Sequence, residues 1–511
     1  MAVMVADAPR PARTGTVRGA YRTLRDVPVP RAAGVPGPAA GAPGAAVLFW
    51  TSRSGRGGPH GAVRGRGTAP MTQAATPVRP LALGPWPMRM VNSVQAYDWG
   101  SPTAIARMQG RTPSGGPEAE LWMGAHPSAP SGLEAVDGSV QPLDALVAAA
   151  PDTVLGADVA AIFGPRLPFL LKVLAIDKPL SVQVHPTAER AAESYTAEMA
   201  GGDVHRYVDP FHKPELAYAL EPTDLLCGFR PADQAAYLLG LVDCERIRRV
   251  AEPLLAEDAD DVECVEEAFR VLVTWPEDDR EALAADVAER AKAILASLGP
   301  ARSGDEDDGT DDETDEDDDD VDPASRRALV WASRLAALHP KDPLVAAPFL
   351  LDLVQLDPGH TLYVPAGAPH AYLYGLVVEI MANSDNVLRA GLTHKPVAVD
   401  ELLRIVDGAT RPVLDVPAVA LSPHETAWRP PVADFQLTRV APTTTVPVAA
   451  FPHLVGPQVV LCTQGPVTLS AGPHELTLHA GESAFVGAGG APLTVRGPGE
   501  VFRAATGLAP A

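Results

Sequence analysis

The sequence predicts a mainly β fold with α-helices, in which a helical insertion interrupts a first β domain and a second β domain follows. Three observations support this class. Short β-type runs occur between residues 90 and 230, apolar residues at helical spacing fill 231–353, and short strands alternate with Gly/Pro turns from 413 onward. A chain of 511 residues has the length for two to four domains with cores of their own.

Residues 1–88 differ in composition from the rest of the chain. They are rich in Ala, Pro, Gly and Arg, contain no Lys, and include only two acidic residues, Asp7 and Asp26. No apolar pattern of helical or strand period persists here, so the segment cannot bury enough surface to offset its ordering entropy. We expect a disordered N-terminal extension; a transit peptide and translated upstream sequence are the alternatives.

The first β domain is predicted over 89–230 and 354–412. Its strands include PFLLKVLAI at 168–176 and LSVQVHP at 180–186, and the β pattern resumes after residue 353 in a segment rich in turns and aromatic residues. β-Branched and aromatic residues bounded by proline and glycine are typical of short strands joined by tight turns. The regular strand spacing over 413–511 predicts a small barrel or jelly roll.

The helical insertion is predicted over 231–353. Its segment REALAADVAERAKAILASLG places apolar residues three and four apart and ends in a glycine that can cap a helix. Within the insertion, the run from Asp305 to Asp322 holds 14 acidic residues and no basic one. Because like charges at that density repel one another, we expect a disordered acidic loop over 303–324.

Composition excludes several classes of function. The formal net charge of −23 comes largely from the acidic run, and nothing in the rest of the chain suggests nucleic-acid binding. No apolar run approaches the ~20 residues of a membrane span. The four cysteines, Cys227, Cys244, Cys264 and Cys462, form no CxxC pair, which argues against a disulfide framework or a cysteine zinc site. We therefore expect a cytoplasmic protein.

Four side chains of metal-ligand type lie in β-type segments. In SVQVHP the residues alternate in character, and strand side chains repeat every second residue, so Gln183 and His185 point the same way. A strand whose polar face lies in water gives the same pattern, and the residues alone leave that alternative open. Glu215 lies in HKPELAYAL and His370 in VPAGAPHAY. A catalytic transition-metal site needs such N and O donors and one open position.

Six motifs occur together, in order, and resemble those of type I phosphomannose isomerases, the mannose-6-phosphate isomerase family. They are QAYDWGS (95–101), AELWMGAHPSAPS (119–131), LPFLLKVLAIDKPLSVQVHP (167–186), HKPELAYAL (212–220), VPAGAPHAY (364–372) and VVEIMANSDNVLRAGLTHKPV (377–397). The resemblance extends from about Val91 to the end of the chain and excludes the N-terminal extension and the acidic run.

The resemblance implies a fold and an activity. The fold is a cupin-like (jelly-roll) catalytic domain, an inserted helical domain and a second, C-terminal cupin-like domain. The activity is the zinc-dependent interconversion of mannose 6-phosphate and fructose 6-phosphate through a cis-enediol, which feeds mannose and GDP-mannose metabolism. One Zn²⁺ per subunit is expected, and its implied ligands are the four residues above: Gln183, His185, Glu215 and His370.

The resemblance also implies roles for residues around the metal. Arg389 of NVLRAGLT matches the catalytic arginine of the family. The implied phosphate-binding residues are Lys172, Ser181 and Lys395. The chain departs from the family pattern locally, because histidine precedes Lys395 where proline is more common.

The residue types fit aldose–ketose isomerisation, in which a proton moves between C1 and C2. Zinc could polarise the carbonyl as a Lewis acid, or orient the hydroxyls and a bound water. Glu215 as the only charged ligand would leave net positive charge, which favours an anionic enediolate. Arg389 stays protonated and can hold the developing oxyanion. Lys213 lies on the same strand face as Glu215 and is our first candidate for the base, because a lysine near zinc and away from water has a lowered pKa.

Two histidines and four pocket residues complete the predicted site. His126 of GAHP and His212 are candidates for opening the sugar ring. The residues expected to shape the sugar pocket are Trp99, Tyr372, Glu379 and Asp385. Packing alone is the alternative for the two aromatic residues, and orientation of Arg389 is the alternative for the aspartate.

Two other function classes share this scaffold. A cupin-type sugar-phosphate binding protein without catalysis would lack a ligand or Arg389, and neither is missing. A metal-dependent oxygenase usually has two His and one carboxylate with open positions for O₂, and the glutamine ligand and phosphate-type lysines disfavour it. We expect a monomer that binds a small sugar phosphate, with no nucleic-acid or membrane partner.

Overall fold

The computed structural model of the chain describes residues 86–508, except 136, 202–204, 257–258, 300–320, 443–447, 450–453, 455 and 490–491. The predicted N-terminal extension up to residue 85, and most of the predicted acidic loop, lie outside the described residues. All described residues belong to one compact unit, Arg79–Gly299 with Glu316–Ala511.

Strands outnumber helices in the described chain outside its central part. Up to residue 414 they are β1 (Pro87–Val91), β2 (Ser93–Gln95), β3 (Glu120–Gly124), β4 (Gly132–Glu134), β5 (Val140–Pro142), β6 (Phe169–Ile176), β7 (Val182–Val184), β8 (Glu215–Ala219), β9 (Thr223–Phe229), β10 (Leu351–Leu356), β11 (Thr361–Val364), β12 (His370–Ala382), β13 (Leu388–Gly391) and β14 (Val413–Leu414). The later strands are β15 (Ala418–Ser422), β16 (Glu425–Trp428), β17 (Gln436–Val440), β18 (Val448–Ala449), β19 (Gln458–Gln464), β20 (Val467–Ala471), β21 (His474–Leu478), β22 (Ser483–Val486), β23 (Thr494–Arg496) and β24 (Glu500–Ala505).

Helices concentrate between β9 and β10. In chain order the α-helices are α1 (Ala104–Met108), α2 (Leu143–Ala149), α3 (Pro151–Val154), α4 (Ala157–Phe163), α5 (Ala188–Gly201), α6 (Ala232–Val242), α7 (Glu245–Ala251), α8 (Asp261–Val273), α9 (Arg280–Ser297), α10 (Pro323–Leu338), α11 (Ala347–Leu350) and α12 (Val399–Ile405). Short 3₁₀ turns cover Glu252–Leu255, Glu277–Asp279 and Pro343–Ala346.

The longest strand, β12, organises an eleven-stranded antiparallel sheet. Its second half pairs with β6 and β8 in the order β14-β11-β8-β12-β6-β3-β2, and its first half pairs with β7 and β9, which bring in β13 and β10. The partners change near Gly375, which has φ of +135° and where an added Cβ would meet Thr223 Oγ1 at 2.3 Å. Glycine permits this bend, so one strand serves both halves of the sheet.

A second, nine-stranded sheet has the order β15-β16-β17-β24-β19-β22-β1-β4-β5. β1 pairs with β22 on one side and with β4 on the other, so the first described strand lies among the last strands of the chain. Leu171 and Val378 of the eleven-stranded sheet share one buried cluster with Leu461, Phe485 and Phe502 of this sheet. Residues of a four-stranded sheet, β18-β23-β20-β21, form a smaller buried cluster with residues of the nine-stranded sheet.

The helices from α6 to α11 pack on the outer face of β7 and its neighbours. Val182 and Val184 of β7 belong to the same buried cluster as the apolar residues of these helices. α8 presents a strongly one-sided apolar face and begins at Asp260, whose side chain accepts the N–H of Val262. α10 is capped in the same way by Asp322, the last acidic residue of the predicted loop.

The mainly β class with helices that the sequence predicts is confirmed by these sheets and helices. All four cysteines are free, as their scattered spacing predicts. No helix among the described residues is both long enough and apolar enough to span a bilayer.

Candidate metal centre

Strand pairing brings the predicted ligands together from distant parts of the chain. His370, the first residue of β12, lies directly opposite Gln183 of β7, and Gln183 in turn lies opposite Arg389 of β13. Glu215 begins β8 and pairs with Met381 near the other end of β12. Val182 and Val184 lie on the face of the sheet that packs against the helices. The alternate residues Gln183 and His185 therefore lie on the opposite face, where His185 is buried. The polar face of this strand is therefore not simply a solvated one.

Two imidazoles converge on one carboxylate. Nε2 of His185 lies 3.3 Å from Oε1 of Glu215, and Nε2 of His370 lies 3.3 Å from Oε2 of the same group. The candidate ligand atoms of all three residues lie within 4.8 Å of one another, and all three side chains are buried. This spacing suits three ligands of a single ion.

The far side of each imidazole is held by a main-chain carbonyl. Nδ1 of His185 lies 2.8 Å from the carbonyl oxygen of Asn386, and Nδ1 of His370 lies 3.0 Å from that of Ala368. A carbonyl can only accept, so both Nδ1 atoms carry the proton and both Nε2 atoms present lone pairs. Metal-binding histidines are usually oriented in this way.

Buried atoms at the centre have no hydrogen-bond partner among the described residues. They are Nε2 of His185, Nε2 of His370 and Oε2 of Glu215. Buried polar atoms without partners are rare, and an ion bound between these atoms would satisfy all three. The donor set and the three unpartnered atoms fit a resident metal ion.

The electrostatics keep this ligand set ready to bind a cation. Burial opposes the charge of Glu215, but Lys213 and the two histidines outweigh that effect and hold its pKa well below the ordinary value. Burial and then Lys213 lower the pKa of His185 to about 4. A carboxylate that stays ionised and an imidazole that stays neutral are the forms that coordinate metals.

Lys213 is buried beside this carboxylate. Its ammonium forms an ion pair with Oε1 of Glu215. The predicted base therefore lies in contact with a predicted metal ligand, on the strand face that the sequence indicates.

Arg389 is half-buried and lies in register with Gln183. The structure gives its guanidinium no ion pair with any described carboxylate, and burial lowers its pKa. A cation in this position is suited to an anionic ligand, because no fixed charge of the described residues neutralises it. Gln183 is only partly buried and its side chain has no hydrogen bond to another described residue, so its amide oxygen is free to coordinate.

A buried charge network lies on the same sheet. Nζ of Lys172 lies 3.2 Å from Glu120 and 3.5 Å from Glu379, and the Tyr372 hydroxyl donates to Glu379 at 3.2 Å. Burial opposes the lysine charge, but the two carboxylates outweigh that effect and raise the pKa of Lys172. Burial and then Glu215 raise the pKa of Glu379 to about 7. The predicted residues Lys172, Tyr372 and Glu379 thus form one unit.

His126 pairs with Asp385 beside a cavity of about 320 Å³. Nε2 of the histidine lies 3.2 Å from Oδ1 of the aspartate, and its Nδ1 lies 2.8 Å from Oγ of Ser128. Both members of the pair line the cavity, together with Arg166 and Asp209. A histidine paired with a carboxylate and facing open space is equipped for acid–base chemistry.

The remaining predicted residues form no described hydrogen bond or ion pair with the side chains of the ligand residues. Nε2 of His212 lies 2.9 Å from Asp434, so this histidine contacts the segment before β17. Trp99 packs against a buried cluster of the sheet, and its carbonyl accepts the N–H groups of two residues in the turn before Leu180. Side chains of Ser181 and Lys395 form no hydrogen bond or ion pair with other described residues, and Lys395 is exposed.

Sequence reasoning missed two buried residues of the site. Glu120 binds Lys172 and also accepts the indole N–H of Trp122. Its signal was present, because Glu120 and Trp122 alternate along β3 in the way that Gln183 and His185 do along β7. Asn386, whose carbonyl accepts a hydrogen bond from His185, lies in the family motif over 377–397 but belongs to no periodic pattern.

Comparisons with known proteins agree with this geometry. Residues 88–232 match the model of the phosphomannose isomerase type I catalytic domain. Mannose-6-phosphate isomerase of Escherichia coli (strain K12) is 34% identical over 431 residues, which cover 81% of this chain and 98% of that protein. The enzyme of the same name from Aspergillus fumigatus is 31% identical, covering 78% and 92%.

Solved structures give the same result. A mutant of phosphomannose isomerase from Salmonella typhimurium matches with a TM-score of 0.69 at 31% identity, covering 83% of this chain and all of that one. A mannose 6-phosphate isomerase bound with zinc and yttrium matches with a TM-score of 0.67 at 31% identity, with the same coverage.

Sheet, buried donor set and relatives together define an isomerase with a metal-binding site on a mainly β, cupin-like fold, which confirms the predicted fold class. The extent of the sequence match decides the family. The chain belongs to the type I phosphomannose isomerase family, as its motifs predict.

Proposed function

We propose that this chain is a zinc-dependent aldose–ketose isomerase that interconverts mannose 6-phosphate and fructose 6-phosphate. The observation that carries the proposal is the buried set of His185, Glu215 and His370, with three unpartnered donor atoms beside an arginine that no carboxylate neutralises. The names of the relatives supply the substrate. In the cell this reaction would feed mannose and GDP-mannose metabolism.

Zinc is the metal that the donor chemistry favours, at one ion per subunit. Two neutral imidazoles, one carboxylate and the amide oxygen of Gln183 are N and O donors, and the related structure bound with zinc points to the same ion. When bound there, zinc would act as a Lewis acid toward the oxygens at C1 and C2.

We assign the stabilisation of developing negative charge to Arg389. The group cannot deprotonate, and its half-buried position strengthens its attraction for an enediolate oxygen. Its register with Gln183 places it on the same face as the ligand set. An arginine already in an ion pair with a carboxylate would stabilise the negative charge of the enediolate less.

Lys213 is our candidate for the base that moves the proton between C1 and C2. It is buried and forms an ion pair with Glu215, so it borders the proposed metal site. The alternative is His126 with Asp385, which faces the 320 Å³ cavity and is also our candidate for opening the sugar ring. His212 is a weaker candidate for ring opening, because it is paired with Asp434 but does not line this cavity.

Lys395 is the best placed of the three candidate phosphate ligands. It is exposed and unpaired among the described residues, and Ser181 precedes the strand that pairs with β13. The ammonium of Lys172 is instead occupied by Glu120 and Glu379. We propose that Lys172 holds these carboxylates, and Tyr372 with them, as one wall of the sugar pocket.

We also propose the domain division that the sequence predicts, with a catalytic domain over 89–230 and 354–412, a helical insertion over 231–353 and a C-terminal domain over 413–511. The buried cluster formed largely by helical residues supports a core for the insertion, and the smaller cluster within residues 440–501 supports one for the C-terminal domain. A third cluster is shared by the two β domains.

A coupled assay of mannose 6-phosphate conversion tests the function. We expect turnover that a chelator abolishes and added Zn²⁺ restores. Absence of turnover with zinc bound would favour the sugar-phosphate binding protein, and turnover unaffected by metal removal would contradict the metal site.

A further inference from the structure

One buried asparagine joins the metal ligands to the segment that precedes β8. Asn386 is 1% exposed, and its main-chain carbonyl is the acceptor that holds Nδ1 of His185 at 2.8 Å. It lies in the loop between β12 and β13, one residue after Asp385. The side chain of Asn386 forms no hydrogen bond with the side chains of the ligand residues. Any effect of this side chain on the metal must therefore act through the other residues that it contacts.

The side chain of Asn386 both donates and accepts hydrogen bonds with residues 208–211. Its amide N–H groups donate to the carbonyls of Asp209 at 2.7 Å and of Phe211 at 2.8 Å, and its oxygen accepts the N–H of Val208 at 2.9 Å. A side-chain amide has two N–H donors and an acceptor oxygen, and here both the amino group and the oxygen bind one short segment. The asparagine therefore fixes the path of residues 208–211.

Asp209 returns the contact from the other side. Its Oδ2 accepts the N–H of Asp385 at 3.0 Å, and its Oδ1 accepts the hydroxyl of Ser384 at 2.8 Å and a second contact from Asn386 at 3.1 Å. We call these two residues, Asn386 and Asp209, the loop clamp. It joins residues 208–211 to residues 384–386 through hydrogen bonds to both main chain and side chain.

The position of the loop clamp connects two of the metal ligands. Residues 208–211 lead directly into Lys213 and Glu215, and the carbonyl of Asn386 orients His185. A shift of the clamped loops would therefore move His185 and Glu215 relative to each other. Loss of a residue that orients metal ligands typically lowers metal affinity by ~10–100-fold. We expect the loop clamp to contribute an effect of this size.

We propose that Asn386 is a positioning residue of the metal centre, which presets His185 and the start of β8 for the ion through the loop clamp. The proposal rests on the proposed function only in taking the ion to be zinc. It predicts a specific loss of metal affinity, whereas a residue that only stabilises the fold would lower the melting temperature and leave metal binding as it was.

Asn383 offers a matched control in the same loop. It is also a buried asparagine, and its amide donates to the carbonyl of Leu167 at 3.0 Å, but it forms no described hydrogen bond with the metal ligands or with residues 208–211. Asn386→Ala and Asn383→Ala each remove one buried amide. Asn386→Asp keeps the volume and the acceptor for Val208 but places an oxygen against two carbonyls, so it should not rescue the site.

The test is the zinc affinity of the purified proteins, measured by competition with a chelator in the absence of substrate. We expect a loss of ~10–100-fold in Asn386→Ala and in Asn386→Asp, with a changed absorption spectrum of the cobalt(II)-substituted protein. We expect wild-type zinc affinity and spectrum in Asn383→Ala. The melting temperatures of the metal-free proteins show that each variant is folded.

Equal zinc affinity in Asn386→Asp and the wild type would overturn the proposal, and so would an equal loss in Asn383→Ala. A wild-type chain without zinc affinity would overturn it together with the metal site. A chain that binds zinc but does not isomerise the sugar phosphate would contradict the proposed function and leave this result standing, because the measurement uses no substrate.

Discussion

Arg389 lies directly opposite Gln183 in the antiparallel pairing of β13 with β7. Residues that oppose each other across a strand pair project to the same face, so the arginine and the glutamine border the same space. One supplies fixed positive charge and the other a neutral oxygen donor. This pairing places a charge that stabilises an anion next to the site where a metal would polarise the substrate.

Arg389→Ala should lower kcat with little change in zinc content. The guanidinium is proposed to act on charge that develops during the reaction, and loss of one such donor typically costs ~10²–10³-fold. Arginine offers no lone pair to the metal, so metal analysis should give the wild-type value. The control is Arg496→Ala, which removes an exposed arginine paired with Glu475. Wild-type kcat in Arg389→Ala would contradict the role.

Glu215→Ala should lose both metal and activity. The carboxylate is the one charged ligand in the proposed set, so its removal should weaken zinc binding beyond the ~10–100-fold typical of residues that only orient ligands. Metal analysis after dialysis and steady-state kinetics measure the two effects. Glu475→Ala, an exposed carboxylate in the four-stranded sheet, should keep both. Full zinc retention in Glu215→Ala would remove this residue from the ligand set.

Lys213→Ala should keep zinc and lose turnover by ~10²–10⁴-fold, because removal of a general base has effects of this size. Lys213→Arg should not restore activity, since arginine stays protonated at any working pH. If the lysine instead anchors phosphate, the arginine variant should recover much of the activity with a raised KM. That outcome would leave His126 with Asp385 as the proton-transfer pair.

The acidic run should act only as a spacer. Replacing residues 305–320 with a short Gly/Ser linker should leave kcat and KM unchanged, because the cost of loop closure varies slowly with length. Asp322 is kept in this variant, since its side chain caps α10. The companion change Asp322→Ala should lower stability by ~1 kcal/mol, as measured by thermal melting. A large change in KM on removing the run would show that it communicates with the phosphate site.

Glu118 should make stability depend on pH at the acid end. Its carboxylate accepts hydrogen bonds from two N–H groups of Arg111, one of them at 2.9 Å, and from the main-chain N–H of Ser114. The hydrogen bonding with Arg111 is the main cause that lowers the pKa of Glu118 to about 2. A depressed carboxyl pKa stabilises the folded state above the unfolded value near 4.5, and this contribution is lost as pH falls toward 2. Urea unfolding of wild type and Glu118→Gln should differ by ~2 kcal/mol at pH 6 and converge by pH 2. A difference that stays constant with pH would contradict the assignment.

Local periodicity predicts part of this site well. The alternation of β7 indicates that Gln183 and His185 share a face, and the structure has them so. The sequence alone does not reveal that this face is interior, because the helices that cover Val182 and Val184 come from residues after 230. Glu215 and His370 enter the prediction as ligand-type residues in β-type segments, and the family motifs then imply that they bind the same ion as Gln183 and His185.

Long-range pairing explains what the sequence misses. The family resemblance predicts Lys172 as a phosphate ligand, and nothing in its own strand indicates that it lies opposite Glu379 in the register of β6 with β12. Asn386 and Asp209 are 177 residues apart, so neither residue type nor period signals the loop clamp. Such contacts depend on strand register, which the sequence of one strand does not determine.

The pairing of β1 with β22 cannot form until nearly the whole chain has been synthesised. Asn92, just after β1, bonds to Ser483 at the start of β22 across 391 residues of chain. At ~5–20 residues per second, the ribosome needs roughly 20 to 80 s to make that intervening length. Throughout this interval β1 has its β22 edge unpaired, and such an edge can pair with a neighbouring nascent chain. Expression yield should therefore respond to chaperone supply during translation more than to the stability of the finished protein.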